Sequence, residues 1–321
     1  MDLTGWTPIH SYTDGGGPML DWCYTGARRF TEPFFGDTID LVNRYLAALL
    51  FRHQTTLEEA RQWERSRPGM PPAGFIFHMS RCGSTLVSRL LAALPENRVL
   101  SEPSPLNAVV RAALLDAQIP RATVLDWLRT VVSLLGRPLD GETRYFIKLD
   151  CWHVLALPLF AEAFSGTPWI FLYRNPAEVL VSQARAPGAW TVPTALEPRI
   201  FGVGREDVLP RHEYVARALA RICDAALRHR DCGRGLLVNY DRLPEFAYGR
   251  LLAHFGVTLS PPELELMKAA SKADAKSPVM TFSGDRQAKR LACTPAIQVL
   301  VDRWLSALFE RLEGCSSDFQ V

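Results

Sequence analysis

The chain has 321 residues, enough for one large domain or two modest ones whose core needs no disulfide or metal staple. Apolar residues make up 48% and charged residues 22% of it, which excludes a disordered or collagen-like chain. Lys+Arg 36 against Asp+Glu 34 leaves a net charge of +2, so no global field draws the protein to nucleic acid or anionic lipid, and any anion site must be local.

Residues 1–35 are rich in Gly, aromatics and turn formers, as in Asp14-Gly15-Gly16-Gly17-Pro18, and have no clear period. Amphipathic segments at 38–51 and 55–65 predict helices, so 1–70 reads as a mostly helical extension packing on a core domain at 71–321. The run Arg67-Pro68-Gly69-Met70-Pro71-Pro72-Ala73-Gly74 is a linker by composition. From 71 to 321 short apolar runs alternate with helical periodicity. Strands are expected at 74–79, 98–101, 144–149, 169–173 and 235–239. Helices are expected at 84–94, 105–117, 121–135, 153–164, 176–183, 212–230, 242–254, 261–273 and 295–313. That alternation predicts an α/β domain, a parallel sheet with helices on both faces.

The seven cysteines (Cys23, Cys82, Cys151, Cys223, Cys232, Cys293, Cys315) are odd in number, scattered and free of any C-x-x-C pair. They read as reduced thiols, not as a disulfide framework or zinc site. The first residues have neither a basic nor an apolar signal-like stretch, and no apolar run is long enough to span a bilayer. The expectation is a cytoplasmic protein.

Two segments carry chemistry. Phe75-Ile76-Phe77-His78-Met79 is a buried strand closed by Ser80-Arg81-Cys82-Gly83-Ser84-Thr85, where a helix begins. Backbone N–H groups and the macrodipole at such a helix start favour an anion, Gly83 permits close approach, and Ser84 and Thr85 add hydroxyl donors. The Walker A pattern fails twice, with Met79 for its first Gly and Ser84 for its Lys. A phosphatase reading with Cys82 as nucleophile fails as well, because six residues separate it from Arg89, one too many for that loop. The second segment is Trp169-Ile170-Phe171-Leu172-Tyr173-Arg174-Asn175-Pro176, again strand, turn and helix. Asn175 suits an N-cap and Pro176 the first helical position. Arg174 is thereby left at the strand's carboxyl end, with Ser182 two turns into the helix, where the two could grip one phosphate. Alone, this segment also reads as a capped helix with a surface Arg.

Together the two segments resemble the cofactor-binding elements of sulfotransferases that use 3′-phosphoadenosine 5′-phosphosulfate (PAPS). The resemblance spans roughly 74–313, strong at these two places and vague elsewhere. It implies that Ser80, Arg81, Cys82, Gly83, Ser84 and Thr85 bind the 5′-phosphosulfate and that Arg174 and Ser182 bind the 3′-phosphate. PAPS would be the co-substrate, 3′-phosphoadenosine 5′-phosphate (PAP) the product, and no metal is expected. Arg81 stands where many members carry Lys and the tyrosylprotein enzymes carry Arg. Lys148, ending the apolar run Tyr145-Phe146-Ile147-Lys148 and preceded by no other Lys, resembles the family's Lys that faces the phosphosulfate. A buried ammonium needs an anion.

Some members use as base a His two residues beyond that Lys, where this chain has Asp150; the tyrosylprotein-like branch uses a Glu. Glu102, after the second core strand, matches the latter and is the expected general base, with Asp150 in reserve and His153 structural. A Glu of ordinary pKa, about 4.3, is ionised and ready for a proton. Tyr240, in Val238-Asn239-Tyr240-Asp241, resembles the end of the family's late strand, near the nucleotide. Phe282–Arg290 resembles a mobile basic loop, with Lys289 and Arg290 facing the 3′-phosphate.

The function implied is sulfuryl transfer to a hydroxyl or phenol on a small-molecule or peptide acceptor, with no nucleic-acid or membrane partner. Trp6, Trp22, Tyr24, Phe34, Phe35 and Trp63 could wall the acceptor pocket, or simply pack. A phosphotransferase using ATP-Mg and a non-catalytic nucleotide-binding or interaction module are the alternatives.

Overall fold

The computed structural model describes residues 2–14, 17–45, 50, 52–139, 141–192, 195–204, 206–272 and 286–317. The N-terminal segment is organised by a three-stranded antiparallel sheet of β1 (Trp6–Asp14), β2 (Gly17–Tyr24) and β3 (His53–Thr56). Among the described residues two helices accompany it, α1 (Phe35–Val42) and α2 (Leu57–Ser66). Among those residues the extension is therefore a sheet with two helices and not mostly helical; part of the helix expected at 38–51 lies outside the described residues. The alternation that marks β2 buries Leu20 and Trp22, but in β1 a register shift between Pro8 and His10 breaks the period that would have signalled a strand. The helix expected at 55–65 is α2, which Thr56 starts through a capping box with Glu59.

The second sheet holds five parallel strands in the order β5-β6-β4-β7-β8. They are β4 (Pro72–His78), β5 (Asn97–Ser101), β6 (Arg144–Lys148), β7 (Pro168–Tyr173) and β8 (Arg234–Asn239). Around it pack α3 (Ser84–Ala92), α4 (Leu106–Leu115), α5 (Arg121–Leu135), α6 (Leu157–Ala163), α7 (Pro176–Arg185) and α8 (Arg211–Arg228). The C-terminal part adds α9 (Pro261–Ser271), α10 (Arg286–Leu291), α11 (Pro295–Trp304) and α12 (Ser306–Ser317). The expected α/β class is what the chain adopts. Strands buried on both faces need continuous apolar runs, which is why they were readable.

Three expected helices differ in detail. The segment at 153–164 opens as a 3₁₀ turn, Cys151–Ala156, before α6, whose first turn contains Pro158. The one at 242–254 is a π-turn, Ala247–Leu251, followed by a single α-turn. The one at 295–313 is two helices parted at Leu305.

The apolar core is continuous across both sheets, running from Leu3, Trp22 and Phe35 to Phe77, Phe146 and Phe171. Polar ties join the two parts: Ser104 Oγ donates to the Ile9 carbonyl at 2.5 Å and Arg137 to that of Leu3 at 2.8 Å. Among the described residues no helix is long and apolar enough to cross a membrane.

Strand order places the site. β4 lies between β6 and β7. The chain leaves β4 toward one edge of the sheet, returns through β6, and crosses to β7 on the other side. The reversal opens a crevice beyond the carboxyl ends of these strands, where open α/β sheets bind ligands.

Candidate active site

Beyond His78 the chain turns through Met79–Gly83 into α3. Ser80 and Arg81 take φ of 73° and 52°, Gly83 takes 84°, and Glu102 takes 56°. Left-handed backbone costs a non-glycine residue about 1–2 kcal/mol, so surrounding contacts must impose it. They are present. The Ser80 N–H donates to His78 Nδ1 at 3.0 Å, and Gln183 Nε2 donates to Ser80 Oγ at 2.9 Å. Gln183 Oε1 in turn accepts from the Gly188 N–H at 2.9 Å. Arg81 donates to the Ala186 carbonyl, fastening the turn to the chain beyond α7. A Cβ on Gly83 would lie 2.6 Å from Tyr240 Cδ2, so the Tyr240 ring and a side chain at this position exclude each other. Ser84 and Thr85 open α3 and line the cavity in front of it.

Cys82 belongs to this turn by its backbone only. Its thiol is buried and donates to the Leu172 carbonyl at 3.1 Å, and burial pushes its pKa up to about 12. A thiol so placed is not a nucleophile.

Ser101 and Lys148 are register partners on β5 and β6, which brings Glu102 beside Lys148. Lys148 Nζ donates to Glu102 Oε1 at 2.6 Å, while the Glu102 N–H donates to the Lys148 carbonyl at 2.6 Å. The ammonium is wholly buried and also sits 4.5 Å over the Phe34 ring. Glu102, one quarter exposed, also has His78 Nε2 at 3.5 Å from Oε1. Because Ser80 donates to Nδ1, a neutral His78 carries its proton on Nε2, facing that carboxylate. Burial alone would raise the Glu102 pKa, but Lys148 and His78 outweigh it and hold the carboxyl well below the usual range. Asp150 behaves oppositely. Burial and the neighbouring Glu102 charge push it up to about 8, so it is mostly protonated at neutral pH.

At the other end, Tyr173 pairs with Asn239, so Arg174 meets Tyr240. The buried guanidinium lies 4.1 Å over the Tyr240 ring and donates to Glu178 Oε2 from Nε at 2.7 Å and from Nη2 at 2.6 Å. Asn175 caps α7, accepting from the Ala177 and Glu178 N–H groups.

Between these ends lies a cavity of about 640 Å³, within the size range of ligand sites. Ser80, Arg81, Cys82, Gly83, Ser84, Thr85, Glu102, Arg174, Ser182, Tyr240 and Lys289 all line it. Two expected residues do not. Lys148 reaches it only through Glu102, and Arg290 instead binds Glu178. Phe34 and Asp150 are on its wall. Of the other N-terminal aromatics, Trp22 and Phe35 are buried in the core. The expected basic loop at 282–290 falls partly outside the described residues, and Lys289 and Arg290 lie on α10. His153 is fully buried, with its Nε2 at 3.1 Å from Asn107 Oδ1. Among the described residues no group of three His, Cys, Asp or Glu could hold a metal ion.

His78, Gln183 and Glu178 escaped the sequence reading. His78 had the signal that exposed Lys148, a polar residue ending an apolar run. Glu178 resembled an ordinary first-turn acid, and Gln183 had no signal at all.

Fold and site define an open α/β protein with a turn of N–H and hydroxyl groups at a helix start at one end of a crevice, a buried arginine at the other, and a carboxylate–ammonium pair between. No family model and no curated protein sequence matches the chain. Among solved structures it is similar to the sulfotransferase STF9 from Mycobacterium avium, at 13% identity over 77% of this chain and 81% of that one, with a TM-score of 0.47. A sulfotransferase from Alicyclobacillus acidocaldarius is similar at 14% identity over 76% and 95%, with a TM-score of 0.44. The sulfotransferase STF1 from Mycobacterium tuberculosis H37Rv is similar at 17% identity over 84% and 85%, also at 0.44.

Proposed function

We propose that the protein is a sulfotransferase that moves the sulfuryl group of PAPS in line to a hydroxyl or phenol of a small-molecule or peptide acceptor. One observation carries the reading. The two segments that resemble PAPS-binding elements, distant in sequence, meet across one cavity with Glu102 on its wall. The donor sets suit a nucleotide with an anion at each end. The Ser80–Thr85 turn offers N–H groups, hydroxyls and a helix N-terminus to the phosphosulfate, and Arg174, Ser182 and Lys289 face the 3′-phosphate.

The nucleotide supplies the sulfuryl group and a phosphate leaving group. The protein's part is positioning and charge stabilisation. Arg81 and Lys148 provide positive charge for the transferring group and the leaving oxygen, Lys148 sharing its charge with Glu102. Glu102 takes the acceptor's proton. Both of its side-chain contacts fall on Oε1, and Oε2 is the oxygen assigned to the acceptor. Asp150, protonated near neutrality, does not compete for that role. Phe34 contributes one aromatic wall for the acceptor.

Thermal stabilisation by PAP and by ATP-Mg tests the reading. A ligand at one hundred times its Kd adds about 2.7 kcal/mol. PAP is expected to stabilise the protein more than ATP-Mg does, and Arg174→Ala to abolish the difference. Preference for ATP-Mg would overturn the assignment in favour of phosphotransfer. Turnover is then sought by mass spectrometry as a sulfated product from a panel of phenols, alcohols and tyrosine peptides.

A further inference from the structure

Glu178 is an acid on the wrong side of a site meant for anions. It is 1% exposed, and it sits one helical turn beyond Arg174, the cation expected to hold a phosphate. Its two oxygens are divided between two elements. Oε2 accepts from Nε and Nη2 of Arg174 at 2.7 and 2.6 Å, and Oε1 accepts from Arg290 Nε at 3.0 Å. Arg290 belongs to α10, and its side chain is 63% exposed. The residue before it, Lys289, is buried and lines the cavity.

From this geometry we infer that Glu178 is a positioning residue for anion binding. It fixes Arg174 directly, and through Arg290 it pins α10 so that Lys289 stays turned into the cavity. This role rests on the proposed nucleotide site. A guanidinium is a planar fork whose direction matters as much as its charge. Glu178 takes the Nε–Nη2 edge and the Tyr240 ring takes one face at 4.1 Å, so two partners over-determine the orientation. A buried arginine without a carboxylate would also carry an uncompensated desolvation penalty in the folded protein before any anion binds. Glu178 thus allows a cation to be kept dry at the cavity wall before any ligand arrives. The capped first turn of α7 places the carboxylate where the helix macrodipole favours it.

Such a role opposes simple electrostatics. Removing a negative charge beside an anion site should tighten anion binding if charge alone mattered. If Glu178 positions Arg174 and Lys289, removing its charge loosens binding.

The experiment compares PAP with adenosine 5′-phosphate, which lacks the 3′-phosphate, by titration calorimetry on the full chain. Wild type is expected to prefer PAP. In Glu178→Gln, PAP affinity is expected to fall about 10-fold or more, the scale on which loss of one partner of a buried charge pair is felt. Affinity for adenosine 5′-phosphate should hardly change, and Glu178→Asp should restore part of the loss. Should Glu178→Gln fail to fold, Arg290→Ala at an exposed side chain carries the test, with about a threefold loss for PAP alone. In the double variant Arg290→Ala adds no further loss, because its effect runs through Glu178. Unchanged or tighter PAP binding in either single variant, or additive losses in the double, overturns the positioning role while the nucleotide reading stands. A wild type that does not distinguish PAP from adenosine 5′-phosphate removes the nucleotide reading and this role together.

Discussion

Lys148 and Glu102 are joined twice, by a side-chain bond of 2.6 Å from ammonium to carboxylate and by a backbone bond of 2.6 Å running the other way. The parallel register of β5 and β6 makes both bonds possible, and Glu102 takes up its place beyond β5 with a left-handed φ of 56°. Breaking a buried pair leaves an uncompensated charge. Glu102→Ala is therefore expected to destabilise the protein by about 3–5 kcal/mol, whereas Glu102→Gln, which keeps an acceptor for Lys148, costs less. Both variants should lose turnover by about 10²–10⁴-fold while Glu102→Gln still binds PAP. Urea midpoints, calorimetry and product formation check the three parts, and an undiminished Glu102→Gln enzyme would move the base elsewhere.

The two carboxylates at the cavity impose opposite pH dependences. Glu102 is more acidic folded than unfolded, so its stabilisation is complete above the ordinary carboxylate range and is lost as pH falls below it. Asp150 is less acidic folded, pushed up from 3.8 to about 8, so the native state binds the extra proton between those values and stability falls as pH rises through them. Asp150→Asn should flatten that decline, gaining on wild type at about pH 8.5 and not at about pH 4. Its turnover near neutrality should stay within about tenfold of wild type, since a protonated acid is no general base. A profile that declines as before in the variant would show that another group titrates.

The parts of this site that sequence makes legible are those where strand ends and helix starts meet. Ser80 to Thr85 and Arg174 to Pro176 announce themselves because an apolar run buried on both faces must stop abruptly at a polar turn. Lys148 was visible for the same reason. What stayed hidden depends on register and on third elements. Nothing local in β5 says that Ser101 lies opposite Lys148, and the resemblance alone pointed to Glu102. Gln183 matters only because α7 returns its side chain to Ser80 across 103 positions. The hairpin of β1 and β2 was missed because the shift between Pro8 and His10 destroys a strand's alternation.

The buried thiol of Cys82 gives a negative test of the chemistry. With its pKa pushed up to about 12 and its hydrogen donated to Leu172, it should resist alkylation in the native state. Cys82→Ala should retain turnover, with a stability loss of about 1 kcal/mol for the bond and the vacated volume. Mass spectrometry after iodoacetamide treatment, set beside a variant assay, checks both. Rapid modification accompanied by inactivation would restore Cys82 as a candidate nucleophile.

Gly83 and Tyr240 test whether the turn must keep its shape. An alanine at 83 meets three obstacles: a φ of 84°, the Tyr240 ring 2.6 Å from the new Cβ, and Leu243 Cδ1 at 3.2 Å. The backbone strain is worth about 1–3 kcal/mol. Relieving the clash means shifting the turn or a ring that also lies under Arg174. Gly83→Ala should therefore lower thermal stability and weaken PAP at both ends of the cavity, the 5′ end through the turn and the 3′ end through Tyr240. Adding Tyr240→Ala removes the ring clash, but leaves the backbone strain and the Leu243 contact and takes away the ring under Arg174. The double variant should recover some stability over Gly83→Ala but not the nucleotide affinity, because Arg174 has lost the face it rests on. Calorimetric affinities and melting temperatures of the two single variants and the double decide the matter, and full recovery of affinity would mean that Tyr240 only fills space.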